Sequence, residues 1–239
     1  MPFVNLHLHT EYSLLDGLSK IKKLVALLKE QGATACAITD HGNLYGAIEF
    51  YKACRKADIK PIIGSELYLC QGSRFEKSSQ NRKNYHLILL AKNNQGYKNL
   101  MKLVSLGHLE GFYYKPRIDW EILEKYHQGL ICLSACTEGQ IAQNILDNNY
   151  EEAKSIAAKY QKLFEDDYYL EIQRHPGLKE QDRANEGLIK ISRELGIPLV
   201  ATNDCHYLKP EDAFAQDVLV MINTQTNINT PNRLSMAST

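Results

Sequence analysis

The sequence predicts an α/β fold with mainly parallel strands, arranged as a barrel or as an open doubly wound sheet. Three observations lead there. Seven short runs are apolar on both sides and rich in Val, Ile and Leu, as strands covered on both faces are: residues 3–9, 35–40, 61–69, 85–91, 129–135, 168–173 and 197–204. Segments of helical periodicity separate them, and strand–helix alternation builds parallel sheets. The length of 239 residues and an apolar share of 44% suit one large domain with a substantial core.

Taken in order, "FVNLHLH" opens the chain as a strand of period two. That period puts His7 and His9 on one face, with Cα atoms about 6.6 Å apart at a rise of about 3.3 Å per residue. Two imidazoles on one face suit a metal, or a pair of hydrogen-bonded core histidines. A helix follows, with Leu18, Ile21, Leu24, Val25 and Leu28 on one stripe and Gly32 as its stop. "ACAITD" is the second strand, with a helix over 44–57 behind it. "PIIGSELYL" and "YHLILLA" are the next two, and a helix over 94–107 follows. "GLICLSA" leads into helices over 138–146 and 150–163, and "YYLEIQ" into one over 179–195. "IPLVATND" completes the set. The last stretch, "NTQTNINTPNRLSMAST", is polar and rich in Asn and Thr, so the folded domain is expected over 1–222 and a linker over 223–239.

Composition narrows the function. Lys+Arg and Asp+Glu both number 28, so no bulk positive field advertises a nucleic-acid surface. No apolar run reaches the roughly 18 residues of a membrane span, and no signal sequence stands at the N-terminus. The six cysteines have no C-x-x-C spacing and read as reduced thiols of a cytoplasmic protein. Cys36, Cys54, Cys70 and Cys132 read as small buried hydrophobes.

In such folds sites form at the C-terminal ends of strands. His7 and His9 end the first run, with Asp16 at the following turn. "TDHG" gives Asp40 and His41, "GSE" gives Glu66, "LSAC" gives Cys136 and "ATNDCHY" gives Asp204 and His206. His86 begins its strand instead, and fits this rim only if that strand runs opposite to the others or the barrel is distorted. His108 and His127 read as surface residues, and His175 as a substrate contact at the same rim. The loop "GFYYKPRID" offers Lys115 and Arg117 for phosphate beside Tyr113 and Tyr114 for base stacking. It reads equally well as an amphipathic surface loop.

Five imidazoles, three carboxylates and one thiolate exceed the four ligands of a structural zinc site. They suit two or three divalent ions, Zn²⁺, Mn²⁺ or Fe²⁺ in preference to Mg²⁺ alone. Ions about 3.5–4 Å apart support in-line attack on phosphorus, so phosphoester hydrolysis is the leading chemistry.

"HLHTEYSLLDG", "AITDHGNLYGAIEFYKAC", "KPIIGSE", "GFYYKPRIDWEIL", "GLICLSAC", "YLEIQRH" and "PLVATNDCHYL" together resemble the PHP (polymerase and histidinol phosphatase) domain of bacterial DNA polymerase III α subunits. The resemblance implies a distorted seven-stranded (β/α) barrel. It implies a trinuclear site of His7, His9, Asp16, His41, Glu66, His86, Cys136, Asp204 and His206, with His9, Asp204 and His206 catalytic and Asp40 orienting a ligand imidazole. Cys136 stands where PHP phosphatases tend to have histidine, which leans toward the polymerase branch. Family members with all ligands intact are associated with 3′–5′ exonuclease proofreading. The implied partners are a DNA 3′ primer end, the remainder of the polymerase α subunit and other replisome proteins, and no polymerase activity is expected from this chain alone. The alternatives are a metal-stabilised structural module without turnover and a histidinol phosphatase.

Overall fold

A computed structural model describes residues 3–14, 16–175 and 177–235. The elements run α1 (Ile21–Glu30), β1 (Ala35–Ile38), α2 (Ala47–Lys56), β2 (Lys60–Cys70), β3 (Asn84–Ala91), α3 (Asn94–Leu109), β4 (Arg117–Ile118) and α4 (Trp120–Tyr126). They continue with β5 (Leu130–Leu133), α5 (Gln140–Leu146), α6 (Tyr150–Phe164), β6 (Tyr168–Gln173), α7 (Lys179–Leu195), β7 (Leu199–Thr202) and α8 (Ala213–Thr224). One curled sheet has the order β1-β2-β3-β5-β6-β7, with β4 pairing β2 from the side.

Alternation along the strands sorts side chains into an outer and an inner layer. Leu67 and Leu69 of β2 and Leu87 and Leu89 of β3 pack outward with Leu100, Leu103, Ile145, Ile156 and Leu188 of the surrounding helices. Ile88 and Leu90 point the other way and join Ala37, Leu133 and Ala135 in a small interior cluster. By the same parity Glu66 and Tyr68, and His86 on β3, face the interior. α1 buries Ile21, Leu24, Val25 and Leu28, the stripe legible in the sequence, together with Phe50 of α2. Gly32 leaves that helix at φ +67°, a left-handed turn that glycine adopts without steric cost.

Three expectations are corrected. Residues 3–9 do not form a regular strand, because their backbone is shared between two neighbours. Ala37 and Thr39 donate to the carbonyls of Asn5 and Leu8 at 2.8 Å, while the Thr39 hydroxyl takes the Leu8 amide at 2.9 Å. On the other side His9 donates to the Cys205 carbonyl at 2.8 Å and Cys205 to that of His7 at 3.2 Å. This segment bridges β1 and the residues after β7, which closes the sheet irregularly into a distorted barrel. The strands are also not uniformly parallel, since β3 runs antiparallel to both β2 and β5. Finally, two helices stand where none is expected. α4 is capped by Asp119, whose carboxylate accepts the Ile122 amide, and α8 runs across residue 222. Beyond α8, Arg233 returns to Asp217 with two contacts of 2.6 Å. Residues 236–239 of the expected linker lie outside the described residues.

Candidate metal centre

The irregular N-terminal segment brings His7 and His9 to the interior at one end of the barrel, with ring centroids 5.2 Å apart. His41 arrives from the loop after β1, Glu66 from the middle of β2, Cys136 after β5, and Asp204 and His206 after β7. β3 runs the other way, so its beginning lies at this end and carries His86 to the same place. The lone misfit of the sequence reading therefore joins the group, through strand direction.

Glu66 is the hub. Its Oε1 lies 2.7 Å from His41 Nδ1 and 2.8 Å from His86 Nδ1, and its Oε2 lies 2.8 Å from His7 Nε2. Asp204 Oδ1 sits 3.1 Å from His7 Nε2 and 3.2 Å from His9 Nε2. Asp16 Oδ2 reaches His41 Nε2 at 3.1 Å, and Cys136 Sγ lies 3.7 Å from His86 Nδ1. Three groupings have ligand atoms all within 4.8 Å of one another: His9–His41–His206, His7–His9–Glu66–Asp204, and Glu66–His86–Cys136.

Do these residues fit metal ions? Buried polar atoms are normally hydrogen-bonded. Here His9 Nε2, Asp16 Oδ1, His41 Nδ1, Glu66 Oε1, Asp204 Oδ1 and His206 Nε2 are buried and have no hydrogen-bond partner. The far sides of the rings are satisfied. The Ser13 hydroxyl donates to Asp40 Oδ1 at 2.7 Å, so it accepts from His9 Nδ1–H at 2.9 Å. His206 Nδ1–H faces the Asp204 carbonyl at 3.0 Å. Both neutral tautomers then aim an Nε2 lone pair inward, as a ligand imidazole must. Lone pairs and carboxylate oxygens pointing at one another call for cations between them. The donor set fits divalent ions.

Without an ion, the electrostatics divide the imidazoles. Burial, with His41 and His206 close by, lowers His9 to about 3, so it stays a neutral lone-pair donor. Burial also disfavours charge on His41, yet Glu66 and Asp16 outweigh it and push His41 up to about 10. Glu66 and Asp204 are held well below the carboxylate range by the imidazoles, against their own burial. Burial and the nearby carboxylates Asp204 and Glu66 raise the Cys136 thiol.

The remaining expected residues divide. Asp40 acts on a ligand imidazole, through Ser13. Lys115 is exposed and stands 5.2 Å from the Tyr68 ring, which itself packs on His41 and His86. Tyr114 is 64% exposed, with Arg82 4.7 Å from its ring, and Tyr113 lies edge-on to it. Arg117 is corrected: it is 0% exposed and donates to the carbonyls of Gly111, Asn81, Arg74 and Glu76, so it cannot meet a phosphate. His175 is half-buried, with Nε2 3.0 Å from Gln173 Oε1. His108 and His127 bond to the carbonyls of Gly42 and Glu124 and take no part in the three groupings. Sequence reasoning missed Ser13, Glu171, Gln173 and Thr202. An acidic residue inside the apolar run "YYLEIQ" was the available signal.

A curled α/β sheet that gathers histidines, carboxylates and a thiol at one end is the architecture of a metal-binding barrel domain. Residues 5–175 match the PHP domain family, and the chain belongs to that family. It is 54% identical over 236 residues to the DNA polymerase III subunit alpha of Borreliella burgdorferi, covering 98% of this chain and 20% of that protein. With the corresponding subunit of Treponema pallidum the identity is 50% over 237 residues, again 98% and 20%. The chain thus spans about a fifth of the length of these relatives. An amidohydrolase from Chromobacterium violaceum shares the fold, with a TM-score of 0.53 at 11% identity over 85% of this chain and 87% of its own. Among the described residues no helix is long and apolar enough to cross a membrane.

Proposed function

We propose that the chain is the metal-dependent phosphodiesterase domain of a replicative DNA polymerase α subunit, and that it hydrolyses single-stranded or mismatched 3′ ends. The observation that supports this best is the set of inward-facing nitrogen and oxygen atoms without hydrogen-bond partners, which leaves room in the charge balance for cations. His7, His9, Asp16, His41, Glu66, His86, Cys136, Asp204 and His206 would hold two or three of them, Zn²⁺, Mn²⁺ or Fe²⁺. The three carboxylates and the thiolate of this set carry four negative charges, which two divalent ions balance. With buried Glu171 and Asp40 the charge is six, which three ions balance. Such ions supply Lewis-acid polarisation of a phosphoryl group and a nucleophile at neutral pH.

The chain's own residues do the rest. Ser13 and the Asp204 carbonyl keep His9 and His206 in the tautomer that presents Nε2. Tyr68 holds Lys115 beside the centre, where its ammonium would take a backbone phosphate. Tyr114 offers an exposed ring for a frayed base, worth about 1–3 kcal/mol if stacked. Arg82 takes the second cationic place that the sequence reading gave to Arg117. His175 stays a candidate substrate contact.

The test is degradation of a 3′-labelled primer–template, matched and mismatched, with Mn²⁺ or Zn²⁺ and with chelator. Mononucleotide release that prefers mismatched ends and disappears in His9→Ala supports the proposal. Phosphate release from histidinol phosphate without DNA cleavage would reassign the domain to the phosphatases. Full metal occupancy with neither activity, also in the whole polymerase, would leave a structural module.

A further inference from the structure

His7 differs from the other ligand imidazoles in what stands behind it. Its Nδ1 lies 2.7 Å from Glu171 Oε1, and Glu171 is 1% exposed. The same oxygen accepts from Gln173 Nε2 at 2.7 Å and from the Thr202 hydroxyl. Three donors from β6, β7 and the N-terminal segment therefore converge on one carboxylate oxygen. No Lys or Arg pairs with Glu171 among the described residues; its ionic contact is His7. A buried carboxylate is costly to desolvate unless a compensating charge is near. His7 meets a second and a third carboxylate, Glu66 and Asp204, through Nε2. With Nδ1–H left on Glu171, Nε2 is free to face a divalent ion held between it, Glu66 and Asp204.

We propose that Glu171 is a positioning residue of the metal centre: it fixes His7 as the Nδ1–H tautomer, orients the ring toward Glu66 and Asp204, and strengthens Nε2 as a donor. Thr202 and Gln173 hold the carboxylate in place, and His175 extends the chain by its contact with Gln173 Oε1. The inference rests on the metal-centre reading above, and extends it from the ligands to the support behind one of them.

The experiment compares the wild-type chain with Glu171→Gln, which keeps size and removes charge. Metal affinity is measured by competition with a chromogenic chelator, and the ligand field by the visible spectrum of the Co²⁺-loaded protein. Expected are a loss of about 10–100-fold in affinity for part of the bound metal, a changed Co²⁺ spectrum, and metal-free melting that stays close to wild type. A merely structural role predicts the reverse, lower metal-free melting with affinity and spectrum unchanged, and overturns the proposal. Should Glu171→Gln fail to fold, Thr202→Val removes one donor isosterically, and the same two readouts must move in the same direction by a few-fold or the proposal falls. Absence of metal uptake by wild type would sink the metal-centre reading with it. Uptake by wild type that the variants leave untouched sinks the role of Glu171 alone.

Discussion

Two polar constellations lie along β2 and its neighbours, one around Glu66 and one around and just beyond its last residues, and they are finished differently. Around Arg74, Arg117 and Asp119 the donors and acceptors are matched within the chain. Arg117 gives its protons to four carbonyls, and Arg74 meets Glu110, Asp119 and Glu121 at 2.7–3.2 Å. No buried side-chain nitrogen or oxygen of these two arginines or of Asp119 is left without a partner. The rim around Glu66 is largely buried as well, yet six ligand atoms there lack hydrogen-bond partners. A buried polar cluster that closes on itself holds loops in place. One that stays open on its inner side is built for something the chain does not supply.

The largest effect should come from breaking the closed cluster. Arg117→Ala strands four carbonyls and should cost about 3–5 kcal/mol in denaturant unfolding, with metal content per folded molecule unchanged. Chelation should act on the other cluster. It destabilises through the rim alone, by as much as about 4 kcal/mol when free metal had stood at a thousand times its dissociation constant, seen as a lower melting temperature. An unchanged melting curve in excess chelator would erase the distinction between the clusters. Within the rim, Asp204→Asn should weaken metal binding by more than the about 10–100-fold an outer partner is worth, with the barrel intact by circular dichroism.

The rim also sets a pH signature for the metal-free protein. His41, raised to about 10, adds stability that is full below the ordinary histidine value and lost as pH rises toward about 10. His9, lowered to about 3, stays neutral in the fold while the unfolded chain takes up a proton, so stability falls as pH drops from the ordinary histidine value toward about 3. Glu66 and Asp204, both lowered, add to the acid loss. Metal-free stability should peak near the ordinary histidine pKa, whereas metal affinity should climb with pH as ligand protons leave. A flat profile from pH 4 to 9 would contradict the charge assignment. The smallest effect belongs to Lys115, which lies just before β4 and stands near Tyr68 beside the rim. Lys115→Ala should change stability by no more than about 0.5 kcal/mol, yet weaken single-stranded DNA binding and lower its salt slope by about 1.

Most of the rim was legible because metal-type residues sit at the ends of apolar runs, a placement that packing alone does not favour. His86 was legible only as an exception, since strand direction depends on which strands pair, and that is a tertiary outcome. Arg117 misled for the opposite reason. Its neighbours in "YYKPRID" suggest a surface, but residues 74–81 fold over it, and no local pattern announces that the carbonyls of Arg74, Glu76 and Asn81 will turn inward. Residues 3–9 read as a strand by composition. Competition for their backbone by Thr39 and Cys205 decides otherwise. Glu171 was visible as a charge in an apolar strand, but its purpose needs His7 beside it, 164 positions away.

The contact between residues 5–9 and 205 fixes an order of events during synthesis. Asn5 and Cys205 meet across 200 positions, so His7 and His9 leave the ribosome long before Asp204 and His206 exist. Until then the amino-terminal segment lacks its second backbone neighbour, and the group His7–His9–Glu66–Asp204 is incomplete. The entropy of closing so long a loop grows only logarithmically with its length, but distant contacts form slowly. Any metal loading that needs this grouping would therefore wait until synthesis has passed residue 206: a nascent chain arrested before residue 204 retains most of its hydrophobic clusters and lacks the group His7–His9–Glu66–Asp204.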